Sequence, residues 1–265
     1  MRSYFLRIPM VESQFDMSPP GVVLKQMEIG PMMNFVYLIG CSETREAAVV
    51  DPAWDVSTIL KIAQESDLKV NRVLVTHAHP DHINGLGELL EATDAAVYMN
   101  VNEIDYMKEI AARFRLPIEF MNRRSGNFRP LSDGEQVLVG KVPIQFLHTP
   151  GHTPGSQCFL VERRLISGDT LFINACGRVD LPGGDPEKMW WSLNRKLASL
   201  DDDTILYPGH NYAEHPTSTL ENKSAAIRTF NSPPSINSSM RCEVFSRLHL
   251  APRICLSHSG VEEGP

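Results

Sequence analysis

The heptapeptide Thr76-His77-Ala78-His79-Pro80-Asp81-His82 holds four metal-capable side chains, and three of the chain's nine histidines fall within it. Imidazole nitrogen and carboxylate oxygen are the donors that zinc and similar borderline divalent cations accept. The apolar run Arg72-Val73-Leu74-Val75 precedes it and reads as a buried strand, which puts the donors on a rigid rim. Three later segments repeat the design of a polar side chain at a strand end. His148 ends Ile144-Gln145-Phe146-Leu147, Asp169 follows Leu165-Ile166-Ser167-Gly168, and His210 follows Ile205-Leu206-Tyr207-Pro208-Gly209. Strand ends converge at one edge of a sheet, so donors distant in sequence can meet there.

The elements that must position these donors are legible in the hydrophobic pattern. Apolar, β-rich runs at 22–28, 35–39 and 47–50 predict a meander of strands, which Asp51-Pro52 stops. Asp55 caps a helix with Val56, Ile59, Leu60 and Ala63 on one face. A short helix over 85–91 and a strand over 96–99 follow the histidines. Asn102 caps a second helix, with Ile104, Met107, Ala111 and Phe114 as its apolar face, and an irregular basic stretch with Arg123 and Arg124 comes next. Strands resume at 135–139 and 144–148, and 157–161 with 164–167 predict a hairpin. Asp185-Pro186 opens a helix that buries Trp190, Leu193, Leu197 and Leu200. A strand over 204–207 and a capping box at Ser218-Thr219-Leu220-Glu221, opening a last helix, complete the pattern. Two rounds of strands and helices predict an α/β four-layer αββα sandwich. Residues 1–21 read as an N-terminal extension, 22–230 as the domain, and 231–265 as a loosely packed or disordered tail.

Composition narrows the function. The 265 residues are 42% hydrophobic and 22% charged, as in ordinary globular proteins, and the net charge of −7 argues against a nucleic-acid partner. Five scattered cysteines without a C-x-x-C suit reduced thiols and a cytoplasmic location. No apolar run reaches the ~18–20 residues that span a bilayer, so no membrane partner is expected.

The heptapeptide, with His148, Gly168-Asp169-Thr170 and Pro208-Gly209-His210, resembles the metallo-β-lactamase superfamily over roughly residues 22–228. That resemblance implies the αββα sandwich with a metal site at the shared edge of its sheets. It implies that His77, His79 and His148 hold one metal, that Asp81, His82 and His210 hold a second, and that Asp169 bridges both. Asp81 and Asp169 are then the catalytic carboxylates. The two divalent ions would be zinc, with iron as the alternative, and a hydroxide shared between them would be the nucleophile. His152 is expected off the metals, hydrogen-bonding within the Pro–Gly loop. Gly168–Phe172, Ala175-Cys176-Gly177-Arg178-Val179-Asp180 and His210-Asn211-Tyr212 are similar to the glyoxalase II and persulfide dioxygenase branch. This similarity implies hydrolysis of a small thioester such as an S-acyl-glutathione, with Arg178 and Tyr212 beside the substrate and Cys176 as a packed residue. A mononuclear iron persulfide dioxygenase, or a lactone or β-lactam hydrolase, is the alternative. The sequence lacks the helical C-terminal domain with which glyoxalase II binds glutathione. The insertion from Asn102 to Arg124 is placed to lie over the metal edge as a lid or substrate wall.

Overall fold

The computed structural model describes residues 21–114 and 124–223. They all fall within the compact unit Met1–Pro234. The expected extension up to residue 20, the tail over 231–265 and Arg123 lie outside the described residues. The chain runs through β1 Val22–Ile29, β2 Asn34–Cys41, β3 Glu46–Val50, α1 Val56–Glu65, β4 Lys69–Leu74, α2 Pro80–Ile83, α3 Leu86–Ala92, β5 Ala96–Asn100 and α4 Val101–Phe114. It continues with β6 Phe128–Leu131, β7 Gln136–Val139, β8 Val142–His148, β9 Gln157–Val161, β10 Arg164–Gly168, β11 Leu171–Phe172, β12 Ala175–Cys176, α5 Pro186–Trp191, β13 Ile205–Pro208 and β14 Ser218–Thr219.

One sheet has the order β1-β2-β3-β4-β5-β6 and the other β14-β13-β10-β9-β8-β7. Strand β2 is buried at every position because it is covered on both faces. Phe35, Tyr37, Ile39 and Cys41 face the core between the sheets, whereas Val36 and Leu38 face the helices on the other side. This alternation is the strand's two-residue period applied twice. The inter-sheet core also holds Phe146 and Phe159, edge to face at 5.0 Å. Val56 and Ile59 of α1, Leu89 of α3 and Met107 of α4 pack on the outer face of the first sheet, and Met189, Leu193 and Leu197 pack on the second. Helix, sheet, sheet and helix are therefore stacked as the expected αββα sandwich. Asp55 caps α1 by accepting from Thr58 N, and Asp185 caps α5 by accepting from Glu187 N and Lys188 N.

The structure departs from the sequence expectation at three elements. Strand β6 was not foreseen, since Phe-Arg-Pro-Leu has no usable period; parallel pairing with β5 creates it at the sheet edge. Ser218 and Thr219 pair with β13, and Leu220–Lys223 forms a 3-10 turn, so the capping box does not open an α-helix there. Helix α4 buries Glu103, Tyr106, Met107, Ile110 and Ala111, a face turned from the predicted stripe toward two polar residues. The metal edge explains that rotation. Among the described residues, no helix is long and apolar enough to cross a membrane.

Candidate metal centre

Strands β3 and β4 are parallel, so their C-terminal ends bring Asp51 and Thr76–His82 to one rim. Strands β10 and β13 are parallel in the other sheet and deliver Asp169 and His210. Backbone bonds lock the two rims together: Phe35 N donates to Gly209 O at 2.8 Å and Gln157 N to Thr76 O at 3.0 Å. Ligands in α/β sheets collect at such carboxyl ends.

Two groups of donors result. His77, His79 and His152 form one, and Asp81, His82 and His210 the other, with donor atoms within 4.8 Å of one another in each. The Asp169 carboxylate reaches both, lying 3.6 Å from His152 Nε2 and 3.4 Å from each of His82 Nε2 and His210 Nε2.

The protons on these rings follow from their outer partners. Thr76 Oγ1 donates to Asp51 Oδ2 at 2.5 Å, so it accepts from His77 Nδ1 at 3.0 Å. His82 Nδ1 faces the same Asp51 oxygen at 3.0 Å. His152 Nδ1 lies 2.7 Å from Arg178 O, and His210 Nδ1 2.9 Å from Met32 O. Each of these oxygens is an acceptor toward the ring and requires Nδ1–H, which in the neutral imidazoles turns four Nε2 lone pairs toward the site. His77 Nε2, His152 Nε2 and Asp169 Oδ1 are buried with no hydrogen-bond partner, and His82 Nε2 and His210 Nε2 face each other at 3.1 Å. Buried acceptors without donors are costly. A pair of divalent cations matches this donor set, with the outer partners fixing each ring. A third group, Asp51 with His77 and His82, also clusters. It uses the protonated Nδ1 side and is a brace for the rings.

Electrostatics agree. Burial pushes the His79 pKa down to about 3, helped by the neighbouring His152, and it likewise holds His77 well below its usual value. Both rings are thus kept as neutral donors. Burial opposes charge on His82, yet the carboxylates of Asp169, Asp81 and Asp51 raise it to about 10, so its Nε2 holds a proton that a bound cation would displace. Burial also opposes ionisation of Asp169, but His210 and His82 keep its carboxyl well below the usual range. Three carboxylates therefore draw positive charge into this pocket.

The structure places one expected ligand away from both donor groups. His148 ends β8 with its Nε2 2.9 Å from Pro154 O and its backbone held by Asp133 and Lys196. It closes the loop and stands outside both donor groups. His152, at the loop tip, stands with His77 and His79 in the place expected of His148. The reason is tertiary. Gly151 (φ 139°) lies against Met189, and a Cβ there would come within 2.4 Å of the Met189 backbone, so the loop folds down onto α5 and carries His152 inward.

Tyr212 stacks on His210 at 4.6 Å and 8° and stays 46% exposed, a rim position consistent with substrate contact. Arg178 binds Asp180 with two bonds at 2.9 and 2.8 Å and lends its carbonyl to His152. Cys176 is buried, and that burial pushes its thiol up to about 12. Sequence reasoning missed Asp51, read only as a strand stop, although a carboxylate at a strand end was the very signal used elsewhere. It also missed Asn34, which donates to Asp81 Oδ2 at 3.0 Å while accepting from Trp54 Nε1 at 2.9 Å. Glu103 was missed too. Its carboxylate accepts from Ala78 N at 2.6 Å, Thr153 Oγ1 at 2.8 Å and Gly155 N at 2.8 Å, stapling the two histidine loops together.

A family model described as the metallo-beta-lactamase superfamily matches residues 29–210. The chain belongs to this superfamily. Among curated relatives, a probable polyketide biosynthesis zinc-dependent hydrolase, PksB of Bacillus subtilis (strain 168), is 32% identical over 71% of this chain and 77% of its own. The hydroxyacylglutathione hydrolase of Polaromonas sp. is 36% identical over 69% of this chain and 64% of its own. Among solved structures, ETHE1 from Myxococcus xanthus superposes with a TM-score of 0.65 at 30% identity, covering 77% of this chain and 83% of that one. Superfamily relatives thus carry names from more than one chemistry, and the site must argue the rest.

Proposed function

We propose that the protein is a dinuclear metallohydrolase that cleaves a small thioester, of the S-acyl-glutathione kind. His77, His79 and His152 would hold one ion, Asp81, His82 and His210 the other, with Asp169 shared between them. Zinc suits this imidazole-rich set. A pair of such ions, when bound, lowers the pKa of a coordinated water toward neutrality and polarises the carbonyl under attack.

The observation that carries the reading is the second donor group. The Nε2 atoms of His82 and His210 face each other at 3.1 Å beside Asp81 and Asp169. A second ion there would be held by two imidazoles and the Asp81 and Asp169 carboxylates, a full donor set beside the first, and this supports two ions and hydrolysis over a mononuclear iron centre. Cys158 and Cys176 are buried thiols raised by that burial to about 11 and 12, so neither supplies a thiolate nucleophile. In this reading a water is the nucleophile. The chain's own residues set the stage for that step. Trp54 orients the Asn34 amide, which holds the Asp81 carboxylate, and Asp51 holds His82 and, through Thr76, His77. Tyr212, half-exposed on the rim, would contact the thiol portion of the substrate. Arg178 would act mainly by shaping this wall, since its side chain binds Asp180.

The test pairs metal analysis with a substrate panel of S-lactoylglutathione, a simple acyl thioester, a lactone and glutathione persulfide. Two zinc ions per chain with thioester turnover is the expected result. One iron per chain, with oxygen consumption on the persulfide, would overturn it.

A further inference from the structure

His79 is the one histidine of the two donor groups whose ring is partnered at Nε2 rather than Nδ1. Its Nε2 lies 3.2 Å from the hydroxyl of Tyr106, one turn along α4 from Glu103. That hydroxyl donates to Pro182 O at 2.7 Å. A phenol has one proton, so its oxygen can only accept from the ring, and His79 must carry its hydrogen on Nε2. His79 is thus the opposite tautomer to His77, His82, His152 and His210, and its bare nitrogen is Nδ1. The neighbouring heptapeptide residue makes this necessary. His77 and His79 stand two residues apart and edge to face at 4.8 Å, so they approach the same point from different directions.

We infer that Tyr106 is a positioning residue of the metal centre: its hydroxyl, anchored on Pro182 O, holds His79 as the Nε2–H tautomer and turns Nδ1 toward the point shared with His77 and His152. The inference rests on the metal-centre reading above. Tyr106 is suited to the task because it is itself fixed. It is buried, and Gly183 packs so closely that a Cβ there would lie 2.7 Å from Tyr106 Cε2. The face of α4 that carries Glu103 and Tyr106 is therefore a buried brace at the metal edge.

The test uses the full chain and Tyr106→Phe, which removes one oxygen and keeps the ring. Zinc affinity of the metal-stripped proteins is measured by competition with a chromophoric chelator, and the metal-free melting temperature is recorded alongside. We expect zinc to bind ~10-fold more weakly at one of the two sites, the usual cost of losing an outer partner of a ligand. The metal-free melting temperature should fall less than the metal-loaded one, and kcat should fall while KM holds. Nitrogen-15 NMR of the histidines in the wild-type protein should include an Nε2–H signal assigned to His79 by its loss in His79→Gln. Unchanged zinc affinity in Tyr106→Phe, an affinity loss matched by a fall in metal-free stability, or an Nδ1–H tautomer at His79 would each overturn the inference. Failure of the wild-type chain to bind zinc at all would instead overturn the metal-centre reading beneath it.

Discussion

At the scale of single residues, the centre is a problem of lone pairs. Each ring has one nitrogen occupied by an outer partner, and the other is turned toward the site. The choice between His148 and His152 gives the sharpest test. His152→Ala should remove one metal per chain and lower thioester turnover by more than the ~10–100-fold expected for losing an outer partner. His148→Ala should keep both metals and most of the activity, because its ring bonds only the Pro154 carbonyl in the described structure. Metal analysis of the two variants side by side decides the matter. Asp51 belongs to the same scale. Its two oxygens serve Thr76 and His82 together, so Asp51→Asn should weaken zinc binding by ~10–100-fold in a chelator competition without removing a ligand.

At the scale of elements, helix α4 binds two loops that belong to different sheets. The carboxylate of Glu103 takes the backbone N–H of Ala78, between His77 and His79, and of Gly155, just past His152. Gly155 is required by this contact, since a Cβ would come within 2.3 Å of Glu103 N. In Glu103→Gln the amide must turn an NH2 toward one of these donors. We expect ~1–3 kcal/mol of lost stability, the cost of an unsatisfied buried polar group, read from the urea midpoint at unchanged slope. The predicted stripe of Ile104, Met107, Ala111 and Phe114 overlaps the true buried face at Met107 and Ala111. Hydrophobic periodicity finds the face of a helix that meets oil, and α4 also meets a polar rim.

At the scale of the whole molecule, the metal edge is where the two sheets join, so the ions and the fold should support each other. Stripping the metals with a chelator should lower the melting temperature by several degrees. A ligand at a hundred times its Kd adds about 2.7 kcal/mol to stability, and a domain of this size shifts about 2–4 °C per kcal/mol. The inter-sheet core stabilises the fold independently of the ions. Phe146→Ala should cost ~3–5 kcal/mol by leaving a cavity against Phe159, and it should do so in the metal-free protein too.

Much of this was legible in the order of residues alone. The heptapeptide, Asp169 and His210 announced themselves because each follows an apolar run, and a strand end has a definite place in an α/β sheet. The strands and the four layers followed from two-residue and 3.6-residue periods, which local chemistry imposes on any chain that must bury one face. Tertiary structure alone chose between His148 and His152, since both lie in one Pro–Gly-rich segment and only packing on Met189 says which turns inward. It alone revealed Asp51, Glu103 and Tyr106. Their roles depend on bonds to partners 25, 50 and 76 residues away, and no local pattern records a contact made across the fold.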